Sequence, residues 1–194
     1  MRNASDRRAP VVGGGGRLTP KPRWPDEARP EVSPIYSRHE VAIAASAADV
    51  FAWLVHAERW PGWYSQCTSV RIVSGPAPAL GIGSHFRWMV LSVPVVTTVE
   101  ECEPPHRLAW SGTGLGAAAY HSWDVEPTPT GCRVITEETQ RGLIPSLLRF
   151  VLRPLLRYTQ VRWLDALAEV AVAQRGRSRW CSSSSARTYR CTRS

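Results

Sequence analysis

The chain of 194 residues contains one lysine, Lys21, beside 23 arginines, and only two methionines and three phenylalanines. It has no apolar run of the roughly 18 to 20 residues that cross a bilayer. Residues 88–99 fall short of that length and contain Pro94, so no transmembrane segment is expected. Behind Arg2, Arg7 and Arg8 come the glycines of residues 13–16 and several prolines instead of an apolar stretch. A secretory signal is therefore not expected, and a cytoplasmic location is. Cys67, Cys102, Cys132, Cys181 and Cys191 form no C-x-x-C pair, which excludes a cysteine zinc site and points to free thiols. His39, His56, His85, His106 and His121 are scattered without an H-E-x-x-H spacing, and no Gly-rich phosphate loop runs from a strand into a helix. No metal and no cofactor are expected. The scarcity of lysine beside much alanine points to a GC-rich, bacterial coding sequence.

What is present is ordinary globular composition, 43% apolar and 21% charged, enough for one domain. The net charge of +8 is not spread evenly. Residues 1–39 hold eight basic and four acidic side chains, residues 40–173 ten and twelve, and residues 174–194 six and none. The part able to fold is slightly acidic, which excludes a basic core specific for nucleic acid. Residues 1–37 are rich in Gly, Pro and Arg, and residues 174–194 carry a serine run and six arginines. Neither has apolar periodicity, so both are expected as disordered segments flanking a domain at 38–173.

Within that domain the spacing predicts a short strand at 39–44, then a helix capped by Ser46 with Asp49 three residues on, ending near Ala57. A turn or short helix around Trp60, Pro61, Gly62 and Trp63 follows. Strand-like segments come next at 68–74, 84–92, 94–103, 107–113, 117–126 and 131–139. From Pro145 to about Ala173 apolar residues recur three and four apart, which predicts one long amphipathic helix bent at Pro154. Arg149, Arg153 and Arg157 form a stripe on its polar side, either a plain solvated face or a contact for an anionic membrane or protein surface. The order is α+β, an antiparallel sheet covered by the last helix with space between them.

Residues 44–53 with Trp60-Pro-Gly-Trp63, residues 83–88, residues 99–110, residues 121–127 and residues 131–139 together resemble the START-like, Bet v 1-like superfamily called SRPBCC, in its polyketide cyclase/dehydrase-like branch. The resemblance covers about residues 38–173. It implies a helix-grip fold, a curved sheet of about seven strands around a long C-terminal helix with a mostly apolar cavity.

Strand alternation places Phe86, Trp88, Trp110 and Trp123 on the inner face, with His85, Arg87 and Arg107 on the outer face. If the turn at 127–132 pairs Val125 with Val134, then Trp123 lies opposite Thr136 and His121 opposite Glu138. Glu138 beside His121 would raise the imidazole pKa and make it a general acid/base. Alternatively the two groups only satisfy each other, or a register slip turns Glu138 outward. Trp53, Trp60, Trp63 and Trp163 are expected as core, whereas Trp88, Trp110 and Trp123 either line a pocket or fill core.

Three functions remain open. The first is binding of a hydrophobic or aromatic small molecule, lipid-, quinone- or polyketide-like, by Phe86, Trp88, Trp110, Trp123 and Thr136, oriented by His121 and Glu138. The second is a cofactor-independent polyketide cyclase/aromatase-type enzyme using His121, with Glu138 as its partner. The third is peripheral membrane or protein contact through the Arg149, Arg153, Arg157 stripe and the basic ends. The spacing leaves monomer and homodimer open.

Overall fold

A computed structural model describes residues 24–185. Seven strands form one antiparallel sheet in the order β1-β7-β6-β5-β4-β3-β2. They are β1 (Ile35–Ile43), β2 (Cys67–Ser74), β3 (His85–Val90), β4 (Val93–Glu103), β5 (Arg107–Gly114), β6 (Ala117–Thr128) and β7 (Gly131–Arg141). Between β1 and β2 lie α1 (Ala47–Val55) and a 3-10 turn (Ala57–Gly62), and after β7 come α2 (Leu143–Leu147) and α3 (Arg149–Ser185). The chain leaves one edge of the sheet through α1 and re-enters at the other edge as β2. The six strands from β2 to β7 then walk back as a meander until β7 pairs with β1.

Local chemistry sets the elements. Ser46 caps α1 by accepting from the Asp49 amide at 3.1 Å, as the spacing predicted. In β3, Phe86 and Trp88 are buried while His85 and Arg87 are exposed, the period-two pattern of a half-buried strand. In β6 and β7 the register pairs Val125 with Val134, Trp123 with Thr136 and His121 with Glu138, as the turn count required.

The helical end departs from expectation. The single helix bent at Pro154 is instead two helices interrupted at Leu148, whose backbone at φ −104° and ψ 19° closes α2. The Leu148 carbonyl then accepts from the Val151 and Leu152 amides, both at 2.9 Å, and so starts α3. Pro145 sits in the first turn of α2, where its missing N–H has no helical acceptor to serve. Pro154 stays inside α3. Gly142, at φ +117°, turns the chain from β7 into α2, and a Cβ there would meet the Gly116 carbonyl oxygen at 2.6 Å.

The expected boundaries also shift. Residues 24–37, assigned from composition to a disordered arm, are folded against the sheet. Ser37, Tyr36 and Ile35 belong to β1, and Trp24 packs on Tyr120 with ring centroids 5.4 Å apart. Ala28 is buried beneath the outer face with Ala109 and Tyr120, and its carbonyl accepts from the Thr139 hydroxyl at 2.8 Å. Gly, Pro and Arg content hid an anchor made by Trp24 and Ala28, with Glu27 3.6 Å from Arg141 beside them. The part of the expected arm at 1–23 lies outside the described residues. At the other end α3 runs on through residues 174–185 of the expected tail, and 186–194 lie outside the described residues.

Arg107 lies on the outer face as expected but is buried there, its guanidinium held by Glu101 at 2.8 Å and Asp124 at 2.8 Å. The Tyr120 hydroxyl adds a hydrogen bond to Glu101 at 2.7 Å. Cys67, Cys102 and Cys132 are free thiols, while the side chains of Cys181 and Cys191 lie outside those described.

Candidate functional site

The concave inner face of the sheet is divided in two. At one end Trp60, fully buried, sits among Phe86, Trp88, Trp110 and Trp163 at centroid distances of 5.7, 5.6, 5.7 and 5.2 Å. Its indole N–H donates to the Leu54 carbonyl at 3.1 Å, which ties the cluster to α1. Phe86 and Trp123 belong to this packed end, both fully buried, and neither reaches the cavity wall. The expectation that they line a pocket is thereby corrected. Alternation gives the face of a side chain, but α1 and the 3-10 turn decide which stretch of that face is already covered.

At the other end a cavity of about 240 Å³ remains between the sheet and the start of α3. Its floor is formed by Trp88, Trp110, Trp163 and Tyr64, the last two stacked at 4.6 Å with their planes 10° apart. The Trp88 indole donates to the Thr97 hydroxyl at 3.0 Å, which fixes the ring against the floor. Ala119, Leu115, Ile144, Leu152, Leu155 and Leu156 supply most of the apolar wall.

The polar end of the cavity is made by His121, Glu138, Gln140 and Gln160. Glu138 Oε1 accepts from the Gln140 amide at 2.8 Å and Oε2 from the Gln160 amide at 3.3 Å. His121 Nδ1 lies 3.5 Å from Glu138 Oε2, and Nε2 lies 2.7 Å from the Thr136 hydroxyl. The tautomer with Nδ1–H toward Glu138 and Nε2 accepting from Thr136 satisfies both contacts. Thr136 itself is fully buried behind the imidazole and does not face the cavity.

Burial decides the charge state of this pair. Desolvation pulls His121 down to about 3, the reverse of the rise expected from its carboxylate neighbour. Desolvation also pushes Glu138 up to about 7, against the two amide hydrogen bonds, which favour the carboxylate. Between about 3 and about 7 both groups are uncharged, so there the contact is a hydrogen-bonding one and not an ion pair. With the imidazole kept neutral and the Glu138 side chain still 12% exposed, Glu138 is the group that can exchange a proton with something in the cavity. Two buried atoms of lining residues, the Gln160 side-chain oxygen and the Trp163 indole N–H, have no protein partner.

A family model described as polyketide cyclase / dehydrase and lipid transport matches residues 35–172. The chain belongs to this family. A search of curated proteins finds no match. Among solved structures, a hypothetical protein of Helicobacter pylori is similar with a TM-score of 0.71 and 24% identity over 77% of this chain and 95% of that one. A START superfamily protein of Mycobacterium smegmatis is similar at 0.62 and 14% over 72% and 98%. The Zhui aromatase/cyclase of Streptomyces sp. R1128 gives 0.62 and 15% over 70% and 92%. At these identities the likeness establishes the fold, the START/Bet v 1 helix grip.

In this polyketide cyclase/dehydrase and lipid transport family member, Trp88, Trp110, His121 and Glu138 of the expected site lie around one cavity. The sequence pattern did not assign Tyr64, Gln140, Gln160 or Trp163 to it. Gln160 and Trp163 stand three apart on α3, on one helix face with Leu156 and Leu167. A polar residue interrupting that apolar row was the available signal. Among the described residues no helix is long and apolar enough to cross a membrane.

Proposed function

We propose that the cavity binds a small, largely apolar ligand that presents one oxygen to Glu138. The observation that carries this reading is the division of the cavity itself, apolar walls of tryptophan and leucine with a single polar end. An engineered cavity of about 150 Å³ takes up benzene, so a space of about 240 Å³ suits one or two fused rings, or the end of a longer chain whose remainder leaves through the mouth. Apolar burial drives binding, and the polar end sets orientation. The protonated Glu138 donates to a ligand carbonyl.

The test uses 1-tetralone, a bicyclic ketone, titrated into the full chain by calorimetry. Binding is expected, with its loss in Ala119→Trp, which fills the cavity from β6, and weakening of about three- to tenfold in Glu138→Gln. Undetectable binding to the wild-type chain, or equal binding by Ala119→Trp, overturns the reading.

A second reading, cyclase-type proton transfer, is favoured by the cavity carboxyl of Glu138, which burial pushes up to about 7. Ionised Glu138 would take the proton from the carbon beside the ketone, the C–H electron pair forming the enolate, and would then return a proton to the same carbon. His121, shielded and neutral, would position Glu138 and not move the proton itself. Hydrogen–deuterium exchange at that carbon of 1-tetralone, followed by NMR, should be catalysed by the wild-type chain and abolished in Glu138→Gln. Full retention in that variant excludes this chemistry.

A further inference from the structure

The outward face of the first turns of α3 is as apolar as its inward face. At about 100° per residue, Leu156, Gln160 and Trp163 turn toward the sheet and are buried, while Phe150, Tyr158 and Val161 lie on the opposite side and are exposed. The apolar residues that recur three and four apart from Pro145 onward include Val151, Leu155, Tyr158 and Val161, and all four are exposed. Phe150 is 78% exposed, and α2 adds Leu143 at 70% and Leu147 at 67%. A contiguous apolar surface of this kind marks an interaction site.

Over these first turns its charge is of one sign, up to the exposed Asp165 one turn beyond Val161. Residues 139–164 contain Arg141, Arg149, Arg153, Arg157 and Arg162 and no Asp or Glu. Arg149, Arg153 and Arg157 run along one flank of the apolar ridge, and Arg162 lies on the other. The ridge also surrounds the cavity mouth, since Leu115, Ile144 and Leu155 are both exposed and part of the cavity wall.

We propose that this face docks on an anionic lipid bilayer, with Leu143, Leu147 and Phe150 entering the boundary between headgroups and acyl chains and the arginines meeting lipid phosphates. The cavity then opens onto the lipid, so an apolar ligand passes between bilayer and cavity without crossing water. That last step rests on the reading of the cavity above, whereas docking does not. Lipid is favoured over a second copy of the chain because two such faces would bring arginine flanks of the same sign together, while an anionic surface complements them.

Sedimentation of the full chain with vesicles of phosphatidylcholine alone, or mixed with phosphatidylglycerol, tests the docking. Binding to the mixed vesicles is expected, falling with salt, and weakened about tenfold or more in Leu147→Asp/Phe150→Asp and in Arg149→Glu/Arg157→Glu. These residues are exposed, so thermal unfolding should stay near wild type and show that the variants fold. All variants keep both basic ends of the chain, so equal sedimentation by the variants would assign binding to those ends and overturn the proposal. Absence of sedimentation, or a ridge-dependent dimer without vesicle binding, would overturn it too. Ala119→Trp should bind vesicles like wild type, which separates failure of docking from failure of the cavity reading.

Discussion

The two ends of the same grip solve opposite problems. At the end under α1, Trp60 fills the space between sheet and helix and hydrogen-bonds a backbone carbonyl, so that nothing is left open. At the end under the start of α3 no such plug exists among the described residues, and the helix presents Gln160 and Trp163 to a hollow while its outer side carries exposed apolar residues. The difference teaches that stability and binding are assigned to different lengths of one sheet and one helix. The packed end fixes the position of Trp88, Trp110 and Trp163, which form the floor of the hollow end, so the cavity inherits a rigid base.

The largest effect should come from emptying the packed end. Trp60→Ala removes a fully buried indole and should destabilise the chain by about 3–5 kcal/mol in urea unfolding. A loss below about 1 kcal/mol would mean that the two ends are equally loose. Next comes the pH dependence of the hollow end. Because Glu138 is raised from 4.5 to about 7, the folded chain holds a proton that the unfolded chain has released between those values, and stability falls as pH rises through about 7. Glu138→Gln should remove that loss, about 2–3 kcal/mol when the unfolding free energies at pH 5 and pH 8 are compared. His121 acts on the opposite limb. Its lowered value means the unfolded chain takes up a proton that the buried ring refuses, so stability falls as pH drops below 6.5 toward about 3, and this loss should persist in Glu138→Gln. Smaller again, Leu155→Ala at the cavity mouth should cost about 1 kcal/mol or less, because Leu155 is already 41% exposed. Phe150→Ser on the outer ridge should leave stability within about 0.5 kcal/mol of wild type. A cost for Phe150→Ser comparable to that of Trp60→Ala would show the ridge covered and erase the contrast.

The sheet was more legible in the sequence than the helix that covers it. Period-two alternation and one short turn specify the inner face and the β6–β7 register, and with them the position of His121 opposite Glu138. The helix was misread because residues 148–161 are apolar on both sides, and periodicity alone does not say which side meets the sheet. The direction of the His121 shift was misread because a neighbouring carboxylate is visible in the sequence, whereas the desolvation that outweighs it depends on the packing of Trp110, Trp123 and Trp163 around the ring. The anchoring of Trp24 and Ala28 on the outer face was invisible for a similar reason, since their partners Tyr120 and Ala109 lie far along the chain.

The central claim is that the hollow end holds a proton-bearing carboxyl in a ligand-sized apolar space. Its most direct test is carbon-13 NMR titration of the Glu138 carboxyl, assigned with Glu138→Gln, in the absence and presence of 1-tetralone. The account predicts a midpoint near 7 for the free chain and a further rise when the ketone accepts the Glu138 hydrogen bond and displaces water. A midpoint in the ordinary carboxylate range that does not move with 1-tetralone would contradict it.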